Sequence, residues 1–463
     1  MTIATINPAT GETLRRFEPH DGEAVEAALA RAARAFESWS RRPIGERAAV
    51  VRRAGELLDA ERRELGRLMT LEMGKLHSAA VEEAAKCAAS CRHYAEHAEA
   101  YLAPEPVSVD GERSYIAFDP LGAVLAVMPW NFPFWQVIRF AAPALVAGNV
   151  GLLKHASNVP QCALAIEDLF HRAGAPEGVF QTLLVESDVV AGIIADHRIA
   201  AVTLTGSERA GRAVGSAAGE HLRPSVLELG GSDPFIVLGS AAIPDAVATG
   251  VRARIINNGQ SCIAAKRFIV VDSVADAFTD GFVRRMSALR VGDPMVAGTE
   301  LGPLASMRQL EELESQVSRS VDAGAKVLTG GRRLDGPGAW YAPTVLTDIP
   351  REAPAYGEEL FGPVASLFRV PDAAAALTLA NDSRFGLAAS VWTSDDREAE
   401  WLARELAVGT VFVNGMVASD PRFPFGGVKA SGYGRELSAY GLREFVNVKT
   451  VRMQRRPTAT STE

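Results

Sequence analysis

Short apolar segments alternate with helical segments from Val124 onward, and this alternation limits the fold more than any other feature of the sequence. Parallel strands need crossover connections, usually helices, so the pattern is typical of a doubly wound parallel α/β sheet. A first series of strand candidates lies at residues 124–128, 151–154, 180–185, 201–204 and 226–229. A second series lies at 235–238, 268–271, 364–368 and 411–414. Because 463 residues are too many for one ordinary core, we predict that the second series forms a second α/β domain.

Other segments flank these two series. Residues 21–103 have apolar side chains at helical spacing, with a break at Pro43, and we predict helices there. Residues 114–118 and 444–453 are β-prone but belong to neither strand series. The polar C-terminal residues 456–463 are expected to be disordered.

The composition excludes several classes of protein. A net charge of −8 provides no basic surface for nucleic acid or anionic lipid. The longest apolar run, residues 140–153, is interrupted by Pro143, Gly148 and Asn149, and it is shorter than the roughly 20 residues that a membrane helix needs. At the N-terminus no basic segment is followed by an apolar one, so we expect no export signal. We therefore expect a cytoplasmic protein without nucleic-acid or membrane partners.

The cysteines indicate neither a disulfide framework nor a metal site. Four cysteines are too few to hold a chain of this length together by disulfides. Cys87 and Cys91 would share one face of a helix, but they lack further partners at ligand spacing. We predict no metal site.

Cys262 and Glu228 are the candidate catalytic pair. Cys262 ends the polar hexapeptide 257–262, and Glu228 shortly precedes two glycines, Gly230 and Gly231. A thiolate can attack a carbonyl carbon, and a carboxylate can later activate the water that releases the acyl group. The alternative is that Cys262 is a small buried apolar residue.

Further candidates follow strands of the first series, where ligands bind in open α/β sheets. The two N–H groups of Asn131 can stabilise an oxyanion, although the residue can equally cap a helix. The turn 205–211 opens a helix whose backbone N–H groups suit a phosphate, although glycines at this spacing also occur by chance. Lys154 and Ser157 follow another strand and can face the same ligand, although a Lys there is ordinarily solvated.

In this order, the segments resemble the motifs of the aldehyde dehydrogenase superfamily over nearly the whole chain. Residues 358–363 (Glu-Glu-Leu-Phe-Gly-Pro) and 424–434 (Pro-Phe-Gly-Gly-Val-Lys-Ala-Ser-Gly-Tyr-Gly) add to the likeness. Residues 154–160 and 261–267 are more specifically similar to bacterial succinate-semialdehyde dehydrogenases. The resemblance implies a Rossmann-type cofactor domain, an α/β catalytic domain and a small β oligomerisation arm.

The resemblance also implies where these parts begin and end. The implied ranges are 1–106, 124–229 and 424–441 for the cofactor domain, 230–423 for the catalytic domain, and 107–123 with 442–455 for the arm. Exposed strand edges in such an arm invite pairing with another subunit, so a homodimer or homotetramer is expected.

The implied reaction is the oxidation of an aldehyde with Cys262 as nucleophile. The Asn131 amide and the backbone N–H of Cys262 would stabilise the oxyanion of the thiohemiacetal, at about 3–4 kcal/mol per well-placed donor. Hydride transfer to a nicotinamide would leave a thioester. The carboxylate of Glu228 would activate the water that hydrolyses it.

Cofactor contacts are implied in the same way. The implied residues are Lys154 and Ser157 at the adenosine ribose, Gly206 and Ser207 at the pyrophosphate, Glu359 at the nicotinamide ribose, Phe361 against the nicotinamide, and Trp130 and Leu229 beside them. Relatives with Glu in place of Ser157 bind the ribose hydroxyls and repel a 2′-phosphate. A neutral Ser beside cationic Lys154 leaves room and charge for that phosphate, so we expect a preference for NADP, with NAD as a second cofactor.

The implied substrate contacts favour succinate semialdehyde. Arg139 stands where semialdehyde-specific relatives place a carboxylate-binding Arg, and Ser419 matches a position that helps to bind the same group. Trp135 and Phe423 would line an apolar part of the pocket, and Ser261, next to the nucleophile, is a further predicted contact. The alternative for Arg139 is a solvated residue on a helix surface.

Two positions depart from relatives. Ala264 stands where certain relatives carry a second Cys, so that regulatory disulfide cannot form here, although Cys262 remains oxidisable. Residues 185–188 (Val-Glu-Ser-Asp) replace a glycine-rich turn near the adenine, so the adenine contacts do not transfer.

Other functions fit these residues less well. A Cys hydrolase normally needs a His base, and the nearest, His221, is far from Cys262 in sequence. A CoA-acylating dehydrogenase has no need of Glu228, and a non-catalytic relative would have been plausible had Cys262 or Asn131 been lost. The remaining alternative is an aldehyde dehydrogenase of broad specificity for aliphatic or aromatic aldehydes.

Overall fold

The computed structural model describes residues 3–110 and 112–454, so the prediction of disorder at 456–463 lies outside the described residues. The strands are β1 (Ile3–Ile6), β2 (Thr13–Phe17), β3 (Glu105–Val107), β4 (Glu112–Pro120), β5 (Ala123–Met128), β6 (Val150–His155), β7 (Phe180–Thr182), β8 (Ile199–Thr205), β9 (Ser225–Glu228), β10 (Asp233–Val237), β11 (Ala265–Val271), β12 (Lys326–Thr329), β13 (Thr344–Thr347), β14 (Val364–Val370), β15 (Phe385–Gly386), β16 (Ala388–Trp392), β17 (Thr410–Val413), β18 (Val428–Lys429), β19 (Gly432–Tyr433) and β20 (Val446–Gln454). The helices are α1 (Gly22–Trp39), α2 (Ile44–Ala60), α3 (Arg62–Met73), α4 (His77–Leu102), α5 (Trp135–Ala147), α6 (Pro160–Arg172), α7 (Val190–Ala195), α8 (Glu208–Glu220), α9 (Ile243–Ile255), α10 (Asp272–Ser287), α11 (Met307–Asp322), α12 (Pro354–Gly357), α13 (Ala373–Asn381), α14 (Asp396–Glu405) and α15 (Ser438–Arg443).

The first large sheet contains all five strands of the first predicted series. Its order is β19-β9-β8-β5-β6-β7, and every strand except the edge strand β19 runs parallel to its neighbours. The apolar runs in β5 and β6 are almost entirely buried because helices cover both faces of a parallel sheet. The prediction of a doubly wound parallel α/β fold is confirmed.

The strand order of this sheet reverses between β5 and β8. From β5 the chain winds through β6 to β7 on one side, and it then crosses to β8 and β9 on the other. Such a reversal opens a crevice at the carboxyl ends of the strands, where ligands bind. Asn131 follows β5 and Ser207 follows β8, so both lie at this crevice.

The second large sheet has the order β12-β13-β14-β11-β10-β16-β17 and is parallel except at β12. β10, β11, β14 and β17 match the second predicted series. The sequence pattern did not predict β16, although this buried strand lies beside β10. Its small residues Ala388, Ala389 and Ser390 give little β signal, since strand preference comes largely from branched and aromatic side chains.

Three smaller features complete the sheets. β1 and β2 form an N-terminal hairpin that the sequence pattern did not predict. The two isolated β-prone segments form a separate sheet, in which β20 pairs with β4 from Val446 opposite Pro120 to Gln454 opposite Glu112, and β3 pairs with the other edge of β4. The short strands β15 and β18 also pair. The exact domain limits stay a prediction.

The N-terminal helices α1 to α4 occupy the region where helices are predicted. α4 packs against α2, α3 and α5. Glu83 of α4 accepts hydrogen bonds from the backbone N–H groups of Phe134 and Trp135, both at 2.9 Å, and pairs with Lys75. It thus satisfies free N–H groups at the start of α5 and fixes that helix to α4.

The buried apolar residues form several clusters. The largest surrounds the first sheet and the N-terminal helices, and two others cover the two faces of the second sheet, under α9 and α10 and under α13 and α14. Within residues 3–110 and 112–454, no helix has the length and apolar character to cross a membrane. The same residues contain no group of three or more His, Cys, Asp or Glu side chains arranged to hold a metal ion.

Candidate active site

The nucleophile loop, residues 256–262, connects α9 to β11 and carries Cys262 at its end. Asn257 and Asn258 have left-handed backbone angles, with φ of 55° and 58°, which Asn adopts more readily than most residues. The side-chain nitrogen of Asn257 donates to the carbonyl oxygen of Asn131 at 2.6 Å. The loop is therefore tied directly to the segment that follows β5.

Asn258 fixes the other side of the nucleophile loop. Its Nδ2 donates to the carbonyl oxygens of Gly74 (2.8 Å) and Pro303 (3.0 Å), and its Oδ1 accepts from the N–H of Gly302 (2.9 Å). These bonds satisfy an amide that is almost completely buried. The position of Cys262 therefore depends on two segments that are distant in sequence.

Cys262 lines a pocket of about 190 Å³ between α4, α5, the nucleophile loop and the segment 417–425. The predicted substrate residues Trp135, Arg139, Ser261 and Ser419 line the same pocket. Much of the remaining wall is apolar, from Phe132, Ile256, Ile263, Val417 and Phe425. The structure thus brings the predicted nucleophile and these four predicted substrate contacts together.

The environment of Cys262 favours the protonated thiol. Burial raises the pKa of Cys262 to about 12, and the positive charges of Arg139 and Lys266 oppose that shift. A thiolate is the reactive form of cysteine. Attack on a carbonyl carbon therefore requires that the thiol proton be removed when the substrate is bound.

Glu228 ends β9 and lies in the interior rather than in the lining of the Cys262 pocket. A Cβ atom at position 426 would lie 2.6 Å from Oε1 of Glu228, so Gly426 leaves the space for this carboxyl group. Both carboxyl oxygens are buried without a hydrogen-bond partner. Burial raises the pKa of Glu228 well above its ordinary value, Glu436 adds to the shift, and Arg139 opposes it.

Arg139 is not a solvated residue on a helix surface, because it is only 2% exposed. Its guanidinium forms an ion pair with Glu436, which is also buried, and lies 4.7 Å above the centre of the Phe425 ring. The prediction that Phe423 lines the pocket is wrong, because that side chain is 64% exposed. Phe425, two residues further on, lines the pocket instead.

Asn131 lies beside the nucleophile loop and is 4% exposed. Its Nδ2 donates to the carbonyl oxygen of Gln260 at 3.2 Å, and its Oδ1 is buried without a partner. A primary amide has two N–H donors, so one remains to bind a ligand oxygen. This arrangement suits an oxyanion that forms next to Cys262.

The predicted cofactor residues lie along the carboxyl ends of the first sheet. Lys154 belongs to β6 and is nearly buried, and burial lowers its pKa while the charge of Glu186 opposes the shift. Ser207 is the N-cap of α8, where its Oγ accepts from the N–H of Ala210 at 3.3 Å. Leu229 packs on α8, where a Cβ at Gly211 would lie 2.5 Å from it. Gly206 and Ser157 lie at the same edge, after β8 and β6 respectively.

Glu359 and Lys266 connect the cofactor crevice to the nucleophile loop. Glu359 accepts from the N–H of Gly231 at 3.2 Å and forms an ion pair with Lys266, also at 3.2 Å. Lys266 donates in turn to the carbonyl oxygens of Ser261 and Cys262, both at 2.8 Å. The charge of Glu359 therefore also acts on Cys262, where it raises the pKa of the thiol.

The donor set of the crevice suits a dinucleotide. Trp130 and Phe361 pack edge to face, with ring centres 5.7 Å apart. In such cofactors, an ammonium and a hydroxyl group suit one ribose, and the N-terminus of a long helix suits the diphosphate. A carboxylate suits the second ribose.

Sequence reasoning missed several charged residues of the site, namely Lys75, Glu82, Glu83, Lys86, Lys266 and Glu436. Lys86, on α4, lines the Cys262 pocket, and Glu436 neutralises Arg139. The only available signal was for Lys266 and Glu436, which lie in or beside motifs that carry other predicted residues. Lys86 lies in a helical segment with no such motif.

Residues 1–451 match the model of the aldehyde dehydrogenase family. The chain is 55% identical over 454 residues to succinate-semialdehyde dehydrogenase NADP(+) 1 of Mycobacterium tuberculosis, which covers 97% of this chain and 99% of that protein. It is 54% identical over 451 residues to a probable succinate-semialdehyde dehydrogenase NADP(+) of Synechocystis, with 97% and 99% covered.

A similar structure is the succinic semialdehyde dehydrogenase of Streptococcus pyogenes, which was crystallised in complex with NADP+ as the cofactor. The TM-score is 0.96 at 36% identity, and the match covers 98% of this chain and 100% of that one.

Proposed function

The chain belongs to the aldehyde dehydrogenase family, and on that premise we propose that it oxidises succinate semialdehyde to succinate, with NADP+ as the preferred hydride acceptor and NAD+ as a second one. The observation that carries the proposal is that one pocket holds the Cys262 thiol together with cationic and polar side chains. The thiol suits the aldehyde carbon, and a cation suits a carboxylate at the other end of a short substrate. The substrate and cofactor in the names of the relatives support it.

The first step is the attack of the Cys262 sulfur on the aldehyde carbon, after the thiol has lost its proton to water. A C–S bond forms, and the electron pair of the carbonyl π bond moves to the oxygen. Arg139 and Lys266 stabilise the thiolate by charge. The free N–H of Asn131 donates to the new oxyanion, which favours the thiohemiacetal over the free aldehyde.

The second step is the hydrolysis of a thioester. When bound, NADP+ supplies the acceptor for the hydride whose departure converts the thiohemiacetal into that thioester. Glu228 then takes a proton from water, whose oxygen attacks the acyl carbon as the bond to Cys262 breaks. The aldehyde, NADP+ and water give the carboxylate, NADPH and two protons. The presence of Glu228 favours hydrolysis over transfer to CoA.

The alternative is an aldehyde dehydrogenase of broad specificity, which the apolar part of the pocket wall favours. A panel of succinate semialdehyde, butanal, hexanal and benzaldehyde, each assayed with NADP+ and with NAD+, tests the two functions. The highest kcat/KM is expected for succinate semialdehyde with NADP+. If the kcat/KM of the uncharged aldehydes equals that of succinate semialdehyde, broad specificity is favoured. A higher kcat/KM with NAD+ than with NADP+ would reverse the cofactor preference.

We also propose that the protein is a cytoplasmic homodimer or homotetramer assembled through the sheet of β3, β4 and β20. β20 is an edge strand of that sheet, and Val448 on it is 60% exposed. An exposed edge with apolar side chains favours pairing with another subunit. Light scattering of the purified protein tests the assembly, and a monomer would contradict it.

A further inference from the structure

Lys86 extends from α4 into the Cys262 pocket, where it contacts two of its neighbours. Its Nζ donates to the Oγ of Ser419 at 2.7 Å and lies 4.2 Å above the ring of Trp135. A cation over an indole face is held in place without being neutralised. The ammonium thus has a fixed position and keeps its charge.

The other two cations of the pocket wall already have carboxylate partners. Lys75 pairs with Glu83, and Arg139 pairs with Glu436. Among the lining residues that the structure describes, Lys86 is the only Lys or Arg without a carboxylate at ion-pair distance. Lys86 is therefore the unpaired cation of the wall, and the exposed carboxylate of Glu82 is the remaining charged group of the lining.

We propose that Lys86, together with the hydroxyl group of Ser419, binds the carboxylate of the substrate and is the main specificity-determining residue for a short aldehyde with a terminal carboxylate. Arg139 then has a different role, since its pairing with Glu436 makes it an internal charge. This inference rests on the proposed function and names the group that selects the substrate.

The energetics favour this assignment. Lys86 is largely removed from water, and burial lowers its pKa to about 8. A carboxylate that binds beside it restores the charge interaction that desolvation removed. The same desolvation makes a charged hydrogen bond in the pocket stronger than one at the surface. The hydroxyl group of Ser419 is already positioned by Lys86 and can donate to the same carboxylate.

The test compares the kcat/KM of succinate semialdehyde with that of butanal, which has the same number of carbon atoms but no charge. In Lys86→Met the unbranched side chain is kept and the charge is lost, whereas Lys86→Arg keeps the charge. Arg92→Met is the matched control, because Arg92 is an exposed cation on the same helix.

For Lys86→Met we expect the kcat/KM of succinate semialdehyde to fall by about 10- to 100-fold, the range for the loss of a hydrogen bond to a charged group, mainly through KM. Butanal should change by less than about 3-fold, which also shows that the variant is folded. Lys86→Arg should retain most of the preference, and Arg92→Met should retain all of it.

The outcomes separate this inference from the proposed function. If the unmodified enzyme does not prefer succinate semialdehyde to butanal, the proposed function fails. If it does and Lys86→Met keeps that preference, the proposed function stands and the role of Lys86 is overturned. If Lys86→Met does not fold, Lys86→Arg and Ser419→Ala decide the question. The proposal is contradicted if Lys86→Arg loses the preference while Ser419→Ala keeps it.

Discussion

Arg139 and Glu436 form a buried ion pair beside the Cys262 pocket, and the carboxyl group of Glu228 is close enough for both charges to act on its pKa. Glu436 raises that pKa and Arg139 lowers it, whereas burial contributes the largest part of the shift. The proposed base for thioester hydrolysis is thus controlled by a pair that takes no part in bond making.

Glu436→Gln should shift the pH dependence of kcat. Removing the negative charge of Glu436 also frees the charge of Arg139, and both changes lower the pKa of Glu228. Because Glu228 acts in its deprotonated form, the rising part of the pH profile of kcat should move to lower pH. Glu444→Gln should move it less, because the charge of Glu444 contributes less to the pKa shift of Glu228 than that of Glu436 does. A shift to higher pH would contradict the assignment.

Ser157→Glu should reverse the choice of cofactor. The added carboxylate would repel a 2′-phosphate beside Lys154 and could bind ribose hydroxyls instead. We expect the kcat/KM for NADP+ to fall by about 100-fold, because like charges in contact cost several kcal/mol, while that for NAD+ is maintained or rises. Ser157→Gln has a similar size without the charge and should change the ratio much less. A loss shared equally by both cofactors would indicate a steric effect.

Asn258→Ala should reduce the free energy of unfolding by about 2–4 kcal/mol, because three buried hydrogen bonds and a left-handed backbone angle of 58° are affected. Asn258→Gly loses the same hydrogen bonds but adopts the angle easily. The glycine variant should therefore be the more stable of the two in thermal unfolding. Equal stability would show that the backbone angle contributes nothing.

Asp233→Asn should stabilise the protein relative to wild type as the pH rises above about 4. Asp233 is buried, and burial raises its pKa from 3.8 to about 7. A raised pKa means that the unfolded state loses this proton first, so the carboxyl group destabilises the fold progressively between about pH 4 and pH 7. Relative to wild type, Asp233→Asn should gain about 2–3 kcal/mol between pH 5 and pH 8. Asp245→Asn, the same substitution at an exposed position, is the matched control.

The preference for succinate semialdehyde over butanal should decrease as the pH rises through about 8. Burial lowers the pKa of Lys86 and Arg139 adds to this, whereas Cys87, Glu83 and Asp420 oppose it. kcat/KM reports the free enzyme, and taking the ratio of the two aldehydes cancels the titration of Cys262 and Glu228. The ratio should fall by about 10-fold or more in wild type and be independent of pH in Lys86→Met. A ratio that is constant in wild type would show that Lys86 does not bind the charged end.

The sequence predicted the strands best where local patterns carry a physical meaning. Asn131 and Ser207 were singled out because each follows an apolar strand, and Glu228 because two glycines shortly follow it. The structure places all three at the carboxyl ends of β5, β8 and β9. β16 was missed because its small residues resemble those of a loop or a helix.

Phe423 and Lys86 show what a local pattern cannot provide. Phe423 and Phe425 lie in an irregular segment, where no periodicity indicates which ring faces inward. Lys86 reads as an ordinary solvated cation of an amphipathic helix, and its role depends on Ser419, from which 333 positions separate it. Charge neutralisation of Arg139 by Glu436 is likewise a result of folding.

Cys262 comes from the amino end of a strand in one large sheet, whereas Asn131 and Glu228 come from the carboxyl ends of strands in the other. The Cys262 sulfur, Asn131 and Glu228 therefore share no secondary-structure element. Their alignment depends on how the two sheets are held against each other. Mild heat or denaturant that loosens the contact between the sheets should abolish turnover while the helical signal in circular dichroism is retained. The enzyme would then lose its activity before it loses its secondary structure.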